Sequence, residues 1–230
     1  MRIALCLSGK PRAWQKGYEY LKKNLLDHHD VDVFIHTWSD VEDTDFGQID
    51  YKYEPKYIQT TRPFNLDGLK KYPDSSPDWP SKNVVHMFYS IFKANEYKRE
   101  YELDQGFTYD VVIRSRFDFA LNIELPLNKM ERGKVYVPKD LAKGHFEPNG
   151  IICNDQFAYG DSSVMDLYCN TFWNIDRAVT IGCPMIGEDL LSINLQINQI
   201  IGDKMVYIDM NHPFPPGKYN VTPHSLLRDD

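Results

Sequence analysis

Apolar residues gather along the chain in short runs separated by polar turns. Arg2 to Leu7 is such a run; it stops at Ser8-Gly9-Lys10-Pro11, after which Tyr18, Leu21, Leu25 and Leu26 recur at helical spacing. That succession predicts a strand, a turn and a helix. Val31 to Thr37, "VDVFIHT", predicts a second strand, and Pro55 to Thr60 a third after an acid-rich polar loop. From Asn65 to Pro80, Gly68, Pro73, Pro77 and Pro80 predict a surface loop of a length often tied to function. Ser81 is then expected to cap a helix through Asp104, with Val84, Val85, Phe88, Ile91, Phe92 and Asn95 on the face that covers a sheet.

Tyr109 to Arg114 predicts a central strand and Lys134 to Val137 a short one. The mixed stretch from Gly144 to Tyr159 suits the wall of a site. A helix is expected from Asp161 through about Trp173, with Val164, Leu167, Tyr168 and Phe172 facing inward. A last helix from Gly187 to Ile201 and a strand from Lys204 to Ile208 complete the pattern. Alternating strands and helices imply an α/β fold, Rossmann-like, with a mostly parallel central sheet and flanking helices, in one domain spanning residues 1–230. In such a sheet the ligand site lies beyond the carboxyl ends of the strands, where Ser8-Gly9-Lys10 and Arg114-Ser115-Arg116 both fall.

Composition narrows the function classes. With 42% hydrophobic and 26% charged residues among 230, the chain reads as globular. Its formal charge of -7 argues against a nucleic-acid surface, so any anion site is expected to be local. Cys6, Cys153, Cys169 and Cys183 form no CxxC pair, which predicts reduced thiols and a cytoplasmic protein. The first apolar run is too short for a signal-peptide core or a transmembrane segment. Asn220-Val221-Thr222 matches the glycosylation acceptor pattern and is read as coincidence.

Four clusters carry candidate chemistry. In "SGKPR", Ser8 to Arg12, Gly9 permits a tight turn, the following helix start offers N–H groups, and Lys10 and Arg12 add charge, which suits a diphosphate; the alternative is a plain turn with solvated cations. In "YDVVIRSRFDFAL", strand alternation would put Arg114, Arg116 and Asp118 on one side and Ser115, Phe117 and Phe119 on the other. The arginines could bind a diphosphate and Asp118 a divalent cation, or Arg and Asp could form a structural pair. "CNDQFAYG" sets Asp155 and Gln156 beside Phe157 and Tyr159, a fair description of a sugar-hydroxyl site or of a strand edge. "GED" places Glu188 and Asp189 in a first helical turn, where the dipole alone favours acids. His36 could face the site but reads better as a structural histidine, and Trp14, Trp38 and Trp79 read as core before stacking platforms.

Together "RIALCLSGKPRAW", "VDVFIHTW", "NVVHMFYSIFKANEYK", "YDVVIRSRFDFAL" and "NDQFAYGDSSVMDLY" resemble small GT-A-like glycosyltransferase-like proteins of large viruses, phages and polysaccharide gene clusters. The resemblance implies a nucleotide-sugar donor, a glycan acceptor and a Mn2+ or Mg2+ ion held by a DxD motif after the central strand. The matching positions here read Arg116-Phe117-Asp118, so Asp118 would hold the metal with help from elsewhere, or Arg114 and Arg116 would neutralise the leaving diphosphate without one. By position Glu188 or Asp189 would be the general base, with Asp155 the competing candidate. The loop from Asn65 to Pro80 would cover the cleft. A catalytically silent nucleotide- or carbohydrate-binding module on the same fold is the alternative; a paired-aspartate phosphatase fits poorly, since Arg116 stands where the second acid is needed.

Overall fold

The computed structural model describes residues 1–41, 44–65, 72–75, 80–139 and 153–208. Its first strand, β1 (Ile3–Gly9), runs past the apolar stretch because Ser8 and Gly9 continue the ladder opposite His36 and Thr37. Helix α1 (Trp14–Leu21) passes into a π turn at Lys22–Leu26, and β2 (Val31–Trp38) follows. Helix α2 (Phe46–Tyr53), capped by Asp45, occupies part of what reads as polar loop, and leads to β3 (Tyr57–Thr61). The long α3 (Ser81–Gln105) precedes β4 (Val111–Ser115), β5 (Val135–Pro138) and β6 (Phe157–Gly160). Helices α4 (Ser162–Cys169), α5 (Thr171–Thr180) and α6 (Gly187–Ile197) and strand β7 (Met205–Ile208) close the described chain.

The seven strands form one sheet in the order β3-β2-β1-β4-β6-β5-β7, parallel except for β6. Alternation along the strands splits the core into two layers. Ile3, Leu5, Leu7 and Ile113 pack with Trp14, Leu21, Ile49 and Tyr53 on the α1 and α2 face. Ala4, Cys6 and Val112 pack with Val84, Phe88, Ile91, Met165 and Leu190 on the face covered by α3, α4 and α6. The chain winds from β1 outward to β3, then returns on the other side of β1 with β4, so β1 and β4 flank the topological switch point. Leu7 pairs with Ser115, which brings the two carboxyl ends to the same edge of the sheet.

Helix α3 runs against the strands. Ser90 meets Gly9 at the carboxyl edge, while Glu102 accepts the Tyr109 N–H at the amino edge, 2.8 Å away in each case. At 1.5 Å per residue, the turns from Ser81 to Ser90 therefore overhang the carboxyl edge by roughly 13 Å. They form one wall of the crevice. Lower down the helix, fully buried Lys98 donates to Ser162 at 2.6 Å, Asp166 at 2.9 Å and Glu102 at 3.0 Å, which satisfies its charge and ties α3 to α4.

Several local expectations are corrected. Pro80, not Ser81, occupies the cap of α3; the Ser81 N–H donates to Asp74 and its hydroxyl to the Tyr72 carbonyl. Phe92 is only half-buried. Asp161 does cap a helix, accepting from Ser163 and Val164, but Asn170 divides that helix into α4 and α5, and Leu167 is exposed rather than inward. The last helix ends at Ile197, with Gln199 in a left-handed conformation, rather than at Ile201. All four cysteines are free and buried. No helix among the described residues is long and apolar enough to cross a membrane. Most of the 65–80 loop, with Trp79, the first part of the 144–159 wall, and the Asn220 acceptor pattern lie outside the described residues.

Candidate functional site

Gly9 ends β1 with φ 103°, a conformation that disfavours any other residue, and a Cβ built there would meet nothing within 4 Å. The turn is thus both glycine-dependent and open. Its position is fixed from beneath: the Gly9 N–H donates to Ser90 Oγ at 2.8 Å, and Thr37 Oγ1 donates to the Gly9 carbonyl at 2.9 Å. Ser90 Oγ in turn donates to the His36 carbonyl at 3.0 Å. Having spent its one proton, it accepts from His36 Nδ1–H at 2.8 Å, which leaves Nε2 to accept from Thr61 Oγ1 at 3.0 Å. His36 is therefore a satisfied, neutral structural histidine, and burial lowers its pKa to about 4. Because Ser90 takes the Gly9 N–H, that donor is not available to an anion, and any anion site here draws on the N–H groups that follow and on the side chains.

Those side chains part company. Ser8 is buried, and its Oγ has no hydrogen-bond partner among the described residues. Lys10 pairs with Asp40 at 2.7 Å on the rim, and Arg12 is exposed. Helix α1 begins at Trp14 with Ala13, rather than a polar cap, in the left-handed region. Gly17 lets the helix press on the next cluster: a Cβ there would stand 1.8 Å from the Phe117 carbonyl oxygen.

On β4 the row read from alternation ends with the strand at Ser115. Arg114 points into the α3 face and is 1% exposed. It donates from Nη1 to the backbone oxygen of Asp155, while its Nε has no partner among the described residues. Burial lowers its pKa, which marks a guanidinium short of compensation. Arg116 and Asp118 sit on the turn that follows and face each other: Nε meets Oδ1 at 2.8 Å and Nη2 meets Oδ2 at 2.7 Å. Burial opposes the Arg116 charge, but the Asp118 pairing outweighs it, with Asp155 and Glu188 adding attraction, and its pKa is raised.

The carboxylates expected as bases are thereby separated. Asp155 is buried against the start of α6, where a Cβ on Gly187 would lie 2.2 Å from its Oδ2 and 3.0 Å from Met87 Cε on the overhanging turns of α3. Glu188 is half-buried within the field of Arg116. Asp189 is buried beside Cys183, whose thiol is pushed up to about 12 by burial first and by Asp189 second. Arg114, Arg116, Asp118, Asp155 and Glu188 thus share one end of the crevice, with Gly9 and Ser8 across the switch point.

The metal expectation meets a specific obstacle. Both Asp118 oxygens accept from Arg116, and no group of three acidic, histidine or cysteine side chains is arranged for a metal among the described residues. A cation at Asp118 would therefore share the carboxylate with the guanidinium, on the lone pairs that Arg116 leaves free. Sequence reasoning also missed Ser90, which carries no signal beyond being a small polar residue on a buried helical face, and Gly17, which resembles any helical glycine until Phe117 is seen against it. Phe157 and Tyr159 are core side chains, not a sugar platform. No protein-family model matches the sequence, and a comparison with curated proteins returns no significant match.

Proposed function

We propose that the chain is a GT-A-like glycosyltransferase that moves a sugar from a nucleotide-diphosphate-sugar donor to a hydroxyl of a glycan acceptor. The observation that carries this reading is Arg114: a charged side chain, 1% exposed, with an unpartnered Nε, on the strand next to the one that carries the orphan hydroxyl of Ser8, at the switch point of a doubly wound sheet. Buried donors in that state cost several kcal/mol unless an anion completes them. In the proposed complex the diphosphate lies over Gly9, and both groups, buried in the unliganded fold, open to meet it.

In the proposed reaction the acceptor hydroxyl attacks the anomeric carbon, a carboxylate takes its proton, and the bond to the diphosphate oxygen breaks. Arg114 and Arg116 stabilise the charge that gathers on the departing diphosphate, an electrostatic role fixed arginines fill without reorganisation. Asp155 and Glu188 stand nearest these arginines and are the better placed bases; Asp189 is turned toward Cys183. No step here is routed through a metal; Asp118 acts by holding Arg116.

A second reading is favoured by that same pair: with its single carboxylate occupied, the fold could bind a nucleotide or carbohydrate and leave it intact. Donor hydrolysis separates the two. An active transferase releases nucleoside diphosphate slowly from its donor even without acceptor, and the release stops in Arg114→Met; a silent module binds the donor and releases none.

A further inference from the structure

The amino edge of the sheet carries an open cavity of about 440 Å3, between the last turn of α3 and the first turn of α4. Glu102, part of its lining, lies roughly 18 Å along α3 from Ser90 at 1.5 Å per residue. The cavity and the crevice therefore sit at opposite ends of the strands. Its volume falls in the range of small-molecule sites.

Charge around the cavity is balanced. Asp166 Oδ1 accepts from Asn95 at 2.8 Å and from buried Lys98 at 2.9 Å. Glu102 gives one oxygen to Lys98 at 3.0 Å and the other to the Tyr109 N–H at 2.8 Å. Arg99 adds the second cation, its Nε 3.5 Å from Asp166 Oδ2. Two cations meet two carboxylates, so the lining has no net charge to offer an ion that sheds its hydration on entry.

Hydrogen-bonding capacity is nonetheless left over. The Arg99 guanidinium donates no hydrogen bond among the described residues, and Asp166 Oδ2 has no closer partner there than Arg99. Donors and an acceptor thus stand side by side, with the exposed Thr108 hydroxyl on the same lining. The rest is apolar. Leu103 is 80% exposed, and Phe107 is held in place by the Arg2 guanidinium, 4.2 Å from its ring centroid, and by the edge of Tyr109 at 4.9 Å. A ligand that fits is neutral, carries neighbouring hydroxyls that each donate and accept, and has a C–H face to lay on the apolar side. A pyranose has this form.

We propose that this cavity is a second carbohydrate site, holding one or two neutral sugar units between the Arg99–Asp166 pair and the Leu103–Phe107 wall. It needs neither a nucleotide donor nor turnover in the crevice, so it stands apart from the glycosyltransferase reading.

The test is saturation-transfer NMR of the full chain, followed by titration, with glucose, galactose, mannose, N-acetylglucosamine, lactose and maltose, and with glucuronate and glucosamine as charged counterparts. At least one neutral sugar should bind saturably and more tightly than either charged one. Arg99→Ala should weaken that binding by about tenfold, the loss of a charge-assisted donor. This side chain is 55% exposed, so its removal spares the fold, which an unchanged unfolding midpoint checks. Arg114→Met, at the other end of the strands, should leave the binding as it is. Absence of saturable binding by every neutral sugar, preference for a charged one, or full affinity in Arg99→Ala overturns the site. Loss of binding in Arg114→Met with retention in Arg99→Ala places the sugar in the crevice and overturns it equally.

Discussion

Arg116 holds both oxygens of Asp118, at 2.8 and 2.7 Å, across a turn of one intervening residue. A short bidentate pair of this kind fixes the guanidinium plane, so the three remaining N–H donors of Arg116 are held in one orientation. Asp118→Asn is expected to keep the fold and to weaken nucleoside diphosphate binding by several-fold, through loss of that orientation. Activity, where present, should persist in excess chelator. Complete loss of turnover on chelation would return a metal to the site and reassign Asp118.

Arg114 separates stability from function. Removing a buried, under-compensated charge in favour of an apolar side chain of similar length is often neutral or stabilising. Arg114→Met is expected to unfold within about 1 kcal/mol of the parent, or later, while losing measurable diphosphate binding. Denaturant unfolding and calorimetry on the same preparation check the two halves; a variant that unfolds early and still binds contradicts both.

Gly17 tests the contact that seats α1 against the turn after β4. A methyl group placed 1.8 Å from the Phe117 oxygen must move backbone, not a flexible side chain. Gly17→Ala should cost about 2 kcal/mol or more by overpacking. The shifted turn should also weaken the Arg116–Asp118 pair, so ligand affinity falls with stability.

Much of this arrangement was legible in the sequence. The apolar runs fixed β1, β2 and β4, and the glycine turn and arginine row fall at the same sheet edge because parallel neighbours deliver their carboxyl ends together. Pairing partners were less readable: β6 is four residues long, lies between β4 and β5, and runs against both, a choice set by long-range packing rather than by Phe157 to Gly160. Lys98 carries no signal of burial in the sequence, because its partners Asp166 and Glu102 come together around it only through the packing of α3 on α4. Arg116 and Asp118 were assigned to one face by strand alternation, yet the strand ends at Ser115 and the two meet through a turn instead.

His36 predicts a pH dependence. Its folded pKa of about 4 lies below the ordinary histidine value of 6.5, so between these values the unfolded chain binds the extra proton. Stability should be fully present above pH 6.5 and fall as pH drops toward 4, by about 3 kcal/mol from this residue at the conversion of 1.36 kcal/mol per pKa unit. Below pH 4 this contribution is flat. Unfolding free energies of parent and His36→Gln across this range should differ in slope; parallel curves would show that His36 titrates normally.

The most direct test of the proposed donor site is a thermal-shift series with nucleoside diphosphates and their sugars, run on the parent protein and on Arg114→Met. A ligand that binds only the folded chain raises the unfolding midpoint by mass action, and a concentration 100 times its Kd corresponds to about 2.7 kcal/mol. The expected result is a rise with at least one diphosphate and its sugar in the parent and none in the variant. No shift with any of them, or an equal shift in both proteins, would contradict a diphosphate site built on Arg114.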